Sequence, residues 1–284
     1  MATGGASDVG RVRSNNEDCY RIVAPLNLFV LSDGMGGEAH GEVASALAVE
    51  TVAGHCSEAE NHPATPLYGK APPGLSEKTQ RLLSAVRLAN RKIHESSEAD
   101  PEHRGMGATI TAAWIEGQRL SVAHVGDSRV YLLRAGGLLQ LTQDHSLVAE
   151  QVRRGMLTPQ QAETSDMQSV LLRALGAQSD VVVDAEEYAL IPHDVLLLCS
   201  DGLTRMLTEP EIASTLALEQ DPQRAADRLV ELANDCGGLD NVTVIVVRLE
   251  PGSNGWFSRL LRRNRNALAP EPPAQKTSPK GGGH

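Results

Sequence analysis

Four aspartates stand at the ends of apolar runs, and they are the first chemical signal in the chain. Asp33 follows the apolar residues 28 to 31 and Ser32, and it opens the glycine-dense stretch Asp33-Gly-Met-Gly-Gly37. Asp201 ends a run of the same grammar, Val195-Leu-Leu-Leu-Cys-Ser-Asp201, again followed by a glycine. Asp127 closes Leu120-Ser-Val-Ala-His-Val-Gly-Asp127, and Asp240 opens Asp240-Asn-Val-Thr-Val-Ile-Val-Val247. Short runs rich in strand formers that stop at an acid read as buried strands holding a carboxylate at their ends. Gly34, Gly36 and Gly37 let the backbone turn sharply and approach whatever Asp33 binds. Singly, an Asp-Gly after a strand reads as a hairpin turn. Together, four carboxylates at strand ends can meet on one rim, where they repel unless cations lie between them. Hard, oxygen-ligated metal ions are the simplest occupants.

The elements that must position these acids follow from pattern. Residues 6 to 24 begin with a short strand and continue through the polar segment Arg13-Ser-Asn-Asn-Glu-Asp18, with another strand at 28 to 32. From about 39 to 56, Val43, Leu47 and Val52 among alanines predict a helix with one buried stripe. Prolines at 63, 66, 72 and 73 impose a loop. A second helix spans about 76 to 97, with Ser76 as its N-cap and Leu82, Leu83, Val86, Ala89 and Ile93 as its stripe. Residues 107 to 141 predict a meander of strands at 108–115, 119–125, 129–134 and 138–141, with turns at Glu116-Gly-Gln and Ala135-Gly-Gly. The polar, partly helical excursion from 142 to 170 reads as a flap, with Thr158-Pro-Gln starting a short helix. Strands return at 181–188 and 194–199, helices at 209–218 and 221–235, and a last strand at 241–249. Grouped strands with helices in two separate pairs predict an α+β fold, two packed antiparallel sheets with one helix pair on each outer face.

Composition narrows the classes. The 284 residues, 41% of them hydrophobic, suffice for one well-cored domain plus a tail, or at most two small domains, and the expected division is a catalytic domain over 1–250 and a tail. Residues 251–284 are basic and Pro/Gly-rich, a composition expected to be disordered. Within them Trp256-Phe-Ser-Arg-Leu-Leu-Arg-Arg263 is a short amphipathic piece that reads as a cap with a solvated tail, or as a docking motif. A net charge of −10 argues against general binding to nucleic acid or anionic lipid. Cys19, Cys56, Cys199 and Cys236 are scattered without zinc spacing, as in a reducing compartment. The first residues lack signal-peptide features, and no apolar run reaches membrane-spanning length, so a cytoplasmic chain is expected.

One ordered set of motifs goes further. Arg13-Ser-Asn-Asn-Glu-Asp18, Ser32-Asp-Gly-Met-Gly-Gly37, Gly41-Glu-Val-Ala-Ser45, Gly105-Met-Gly-Ala-Thr109, His124-Val-Gly-Asp-Ser-Arg129, Leu141-Thr-Gln-Asp-His-Ser146, Leu172-Arg-Ala-Leu-Gly176, Ser200-Asp-Gly202 and Asp240-Asn-Val-Thr243 follow one another in the chain. Each is weak alone. In this order they resemble the metal-dependent (PPM, type 2C) Ser/Thr protein phosphatases in their compact bacterial form. The resemblance implies a four-layer α-β-β-α sandwich and two Mg²⁺ or Mn²⁺ ions that lower the pKa of a shared water and aim it at phosphorus. By that resemblance Asp33 bridges both ions, Gly34 offers its carbonyl, and Asp201 and Asp240 complete the first ion's shell. Glu17 and Asp18 orient waters around it, and Arg13 grips the phosphoryl oxygens with its planar fork. A third ion is implied on Asp127 with Asp201, to which the carbonyl of Ser169 in the flap contributes. Without the resemblance, Asp127 reads as the cap of a turn and Arg13 as a surface arginine.

Two departures stand out. Many relatives carry a histidine directly after the Asp-Gly pair as a candidate general acid, whereas Met35 stands here and donates no proton. His40 and His145 are the remaining histidine candidates, although a lone loop histidine is usually just solvated. Bacterial relatives commonly show His-Pro before the Leu-Arg-Ala-Leu motif, where this chain has Ser165-Asp166. The expected activity is Mg²⁺/Mn²⁺-dependent hydrolysis of phosphoserine and phosphothreonine in proteins, opposing a bacterial Ser/Thr kinase. The expected partners are phosphorylated proteins, with that kinase and forkhead-associated-domain proteins implied by family analogy, and the chain is expected to be a monomer. The alternatives are a pseudophosphatase that binds phosphoproteins without turnover, which the full set of acids disfavours, and a hydrolase of small phosphate esters.

Overall fold

The apolar runs that end in acids form the middle of two antiparallel sheets. The computed structural model describes residues 1–36 and 40–250. Strands β1 (Ala2–Asp8), β2 (Asp18–Val23) and β3 (Leu28–Met35) precede helices α1 (Gly41–Asn61) and α2 (Glu77–Ala99). Strands β4 (Gly107–Ala108), β5 (Ile110–Glu116), β6 (Arg119–Val125), β7 (Arg129–Arg134) and β8 (Gly137–Gln140) follow. The flap carries the short helices α3 (Leu147–Arg153) and α4 (Pro159–Glu163). After it come β9 (Asp184–Ala189), β10 (Val195–Cys199), the single turn α5 (Asp201–Thr204), α6 (Glu209–Leu218), α7 (Pro222–Asp235) and β11 (Val242–Arg248).

One sheet has the order β1-β11-β10-β7-β8, and the other β2-β3-β5-β6-β9 with β4 paired to the end of β3. The period of two along a strand sends Phe29 and Leu31 of β3 between the sheets, where they meet Val130, Leu198 and Ile245. Leu28 and Val30 point the other way, against Val49, Val52, Leu82 and Val86 of α1 and α2. On the opposite outer face Leu229 of α7 and Ile212 of α6 cover Leu197, Val244 and Val246. Three hydrophobic layers thus separate four structural layers, and the expected α-β-β-α sandwich is the fold. Ser76 caps α2 as expected, its hydroxyl accepting from the Thr79 N–H at 3.4 Å.

The meander differs from its reading as one continuous block. Strands β5 and β6 belong to one sheet and β7 and β8 to the other, so the chain changes sheets at Gly126-Asp127-Ser128. Gly126 makes that step at φ +110°, a conformation that side chains resist. The sheet change delivers Asp127 to the rim between the sheets. Strand β2 begins inside the polar segment and is an edge strand, half exposed, which explains its lack of an apolar signature. Helix α1 runs past Cys56 to Asn61, a polar last turn that Pro63 soon ends. Among the described residues, no helix is long and apolar enough to cross a membrane. The reading of 251–284 as a basic, disordered tail lies outside the described residues.

Candidate active site

The end of β3 carries Asp33, and the register of β2 places Asp18 directly opposite it. The backbone of Asp33 is held on both sides by one residue: its N–H donates to Thr109 Oγ1 at 2.9 Å, and its carbonyl accepts from the Thr109 N–H at 2.8 Å. Thr109 Oγ1 shares a second hydrogen bond, 2.8 Å, with Ser128 Oγ, next to Asp127 in the sheet change. One threonine therefore couples the backbones that carry two of the acids. Gly34 has no room for a side chain, because a Cβ there would overlap the Gly41 carbonyl oxygen where α1 begins. Gly202 is equally tight against the Asn241 carbonyl, and this close approach sets Asp201 beside Asp240.

The polar segment 13–18 is fixed by side chains from the other sheet. Asn241 donates to the carbonyls of Val9 and Asn15 at 2.9 and 2.8 Å and accepts from the Glu17 N–H at 2.8 Å. Ser200 Oγ donates to Asp18 Oδ2 at 2.8 Å and accepts from the Thr243 N–H at 2.9 Å. These bonds bring Arg13, Glu17 and Asp18 up to the acids at the ends of β3, β10 and β11.

The result is a cleft of about 660 Å³ floored by Asp33, Asp127, Asp201 and Asp240. Arg13, Glu17, Gly34 and Ser169 border it as well, so the structure gathers eight of the nine expected site residues at one opening. The ninth, Asp18, lies against Ser200 beneath them. Met35 also borders the cleft. His145 does not point into it: the ring is 2% exposed, accepts from the Gly126 N–H at 3.1 Å and meets Asp184 Oδ2 at 3.1 Å. His40 packs edge-on against His103, with ring centroids 5.9 Å apart.

Charge is concentrated here at high cost. Burial, then Asp18, Asp201 and Asp127, push the Asp33 carboxyl well above its usual range. Burial lifts Asp18 to about 7 against the hydrogen bonds from Thr243 and Ser200. Burial and then Asp201 and Asp144 lift Asp127 to about 7. Asp201 is raised by burial despite Arg205. Two carboxylate oxygens, Asp18 Oδ1 and Asp201 Oδ1, are buried with no hydrogen-bond partner. Buried acids short of donors are what a hard, oxygen-seeking divalent cation relieves, so the residues present fit the metal ions that the acid pattern implies.

Protein cations contribute as well. Arg13 Nη2 meets Asp240 Oδ2 at 2.9 Å. Arg205 reaches Asp201 Oδ2 at 2.8 Å and Asp240 Oδ2 at 3.3 Å. Sequence reasoning missed Arg205, Thr109, Ser128, Ser200 and Asn241 as builders of the site. The one available signal was the spacing of four between Asp201 and Arg205, which pairs side chains once 201–204 is seen as a helical turn.

Residues 11–234 match the protein phosphatase 2C family. The chain belongs to that family. It is 40% identical over 241 residues to the serine/threonine protein phosphatase PstP of Mycobacterium tuberculosis, covering 84% of this chain and 43% of PstP. It is 36% identical over 252 residues to the serine/threonine phosphatase stp of Listeria monocytogenes, covering 88% of this chain and 96% of stp. The chain thus spans less than half the length of the mycobacterial phosphatase and nearly all of the listerial one. The crystal structure of M. tuberculosis PstP/Ppp superposes with a TM-score of 0.77 at 38% identity, over 88% of this chain and 98% of that one. The catalytic domain of PstP in complex with two manganese ions superposes with a TM-score of 0.72 at 37% identity, over the same shares of 88% and 98%.

Proposed function

We propose that this member of the phosphatase family hydrolyses phosphoserine and phosphothreonine in proteins, with two Mg²⁺ or Mn²⁺ ions held by the strand-end acids. The observation that carries this reading is the convergence of Asp33, Asp127, Asp201 and Asp240 on one cleft beside Arg13, with Asp201 Oδ1 left without a donor. Asp33 would bridge the two ions, the Gly34 carbonyl and the carboxylates of Asp201 and Asp240 would complete the set, and Glu17 and Asp18 would orient the waters around it. The bound ions supply Lewis acidity for the attack of water on phosphorus.

The chain's own residues do the rest. The water oxygen forms a bond to phosphorus while the bond to the seryl or threonyl oxygen breaks. Arg13, 53% exposed on the wall, turns its fork from Asp240 to the phosphoryl oxygens and fixes the group in line. Thr109 keeps Asp33 from shifting as charge moves. Met35 carries no proton and His145 faces away, so the leaving alkoxide's proton would come from water in the cleft or from a raised-pKa acid lining it such as Glu17, and the attacking water would give up its own proton in exchange.

A second groove of about 940 Å³ joins the cleft at Asp127, Asp201 and Arg205 and runs between the flap and α6. Its apolar side chains, among them Val148, Val152 and Met206, offer contact to a polypeptide around the phosphoresidue that a small ester could not use. A bacterial Ser/Thr kinase and forkhead-associated-domain proteins are the substrates that family analogy suggests, in the cytoplasm.

The test is turnover of phosphoserine and phosphothreonine peptides in Mn²⁺, beside p-nitrophenyl phosphate and common metabolite phosphates. Phosphopeptides should show the highest kcat/KM, EDTA should abolish turnover, and added Mn²⁺ should restore it. Turnover undiminished in EDTA, or a preference for small esters, would overturn the reading.

A further inference from the structure

The groove between the flap and α6 has walls of its own chemistry. We propose that it selects the polypeptide flanking the phosphoresidue, favouring an apolar side chain together with a lysine or arginine, and that Glu209 of α6 is the residue that selects the cation. The inference rests on the phosphoprotein reading above and adds to it the class of flanking sequence.

Two apolar walls form the groove. On the flap side Val148, Ala149 and Val152 of α3 line it, at spacings that put them on one face of the helix. No residue of α3 is fully buried, so this face stays open to the groove. On the other side Met206, Leu207 and Pro210 line it around the start of α6. Asp127, Asp201 and Arg205 border both groove and cleft, so one arm of a chain whose phosphoryl group sits at the acids runs between these walls. An extended chain takes about 50 Å² of cross-section, so the groove's 940 Å³ holds about six residues.

Beyond the ion-binding acids, the charges along the groove are paired with one exception. Asp144 accepts a fork from Arg129 at 3.0 and 2.7 Å. Arg205 reaches Asp201 at 2.8 Å. Arg153 donates to Glu150 at 3.0 Å, and Glu150 also holds Arg154 at 2.6 Å, so the flap wall has no spare acid. In the first turn of α6, Glu211 accepts from the Thr208 N–H at 2.8 Å and from its hydroxyl at 2.7 Å. Glu209, in the same turn, is exposed on the groove and has no ion pair or side-chain hydrogen bond among the described residues. A lysine or arginine on a bound chain would lay its aliphatic stem on the apolar wall and carry its charge to this carboxylate.

The test is a set of phosphothreonine peptides assayed in Mn²⁺ with full-length wild type, Glu209→Gln and Glu209→Lys. A Leu-Arg, Leu-Glu or Gly-Gly pair is moved through the second to sixth positions on either side of the phosphothreonine. At the register that reaches Glu209, wild type should favour Leu-Arg over Leu-Glu by about fivefold in kcat/KM at low salt, the upper range for a solvent-exposed ion pair. That ratio should fall towards one in about 0.5 M salt, vanish in Glu209→Gln and invert in Glu209→Lys. Gly-Gly should be the poorest wild-type substrate of the three. The ratio is taken within each enzyme, so differences in active fraction between preparations cancel. A wild type that prefers Leu-Arg at no register, or a preference unchanged in Glu209→Lys, overturns the inference. Equal turnover of every peptide defeats this inference alone, whereas turnover of none defeats the phosphoprotein reading beneath it.

Discussion

His145 offers a perturbation whose size can be worked out in advance. Its ring lies at the base of the flap, stacked on His124 with centroids 4.5 Å apart. Its backbone N–H donates to the Gly126 carbonyl at 2.9 Å, and its carbonyl accepts from the Leu172 N–H at 2.7 Å, so it ties one flap stem to the other and to the sheet change. Nδ1 accepts from the Gly126 N–H, which leaves the proton on Nε2, facing Asp184 Oδ2. A second ring proton would have to point at an N–H. Burial first, then His124 and Arg173, push the pKa from the ordinary 6.5 to about 4, although Asp184 pulls the other way. His124 is itself lowered by burial, and Asp184 stays ionised because bonds from Arg173 and His145 outweigh its burial.

The sign follows from a depressed folded-state pKa. The stability held by neutral His145 is fully present above 6.5 and is lost as pH falls through about 4. Between pH 7 and pH 4 the loss is about 3 kcal/mol, a large part of a domain's net stability. Replacing His145 by Gln removes this titration, while Asp184 keeps its bond from Arg173. Urea denaturation of both proteins in EDTA, followed by intrinsic fluorescence at pH 7 and pH 4, reads the effect of the ring and its direct partners, because titrating groups away from the ring cancel in the difference. The gap between wild type and variant should narrow by about 3 kcal/mol on acidification. A gap that stays constant would refute the assignment of a buried neutral His145.

Two other substitutions probe how the site is held. Thr109→Val should leave the Asp33 N–H without an acceptor, at about 1–3 kcal/mol in denaturation experiments, and should lower kcat more than it raises KM; Thr109→Ser, which keeps the hydroxyl, should restore both. Arg13→Lys cannot copy the planar fork and should reduce kcat/KM for a phosphopeptide by about tenfold or more, roughly 1.4 kcal/mol, with little change in melting temperature since the side chain is exposed.

Much of the fold could be read from the chain because its central strands are buried on both faces, which turns them into continuous apolar runs such as 28–31 and 195–199. The same property hides their partners. With apolar residues on both faces there is no alternation to say which sheet a strand joins, so the passage of the meander from one sheet to the other at Gly126 left no pattern in the sequence. Strand β2 went unread for the opposite reason, being a half-exposed edge. At the site, the aspartates announced themselves by ending strands. Thr109 and Ser200 did not, because a hydroxyl becomes a positioning group only through partners 76 and 182 residues away. His145 reads as a solvated loop histidine until Asp184, 39 residues on, is seen beside it.

On the proposed mechanism, strand-end carboxylates hold the ions that activate water, with Asp33 between them. The most direct measurement is phosphopeptide turnover by wild type and Asp33→Asn across a Mn²⁺ titration, with bound metal counted in parallel. Asp33→Asn should bind fewer ions and lose on the order of a hundredfold or more in kcat at every Mn²⁺ concentration. Turnover by Asp33→Asn that matches wild type at saturating Mn²⁺ would contradict it.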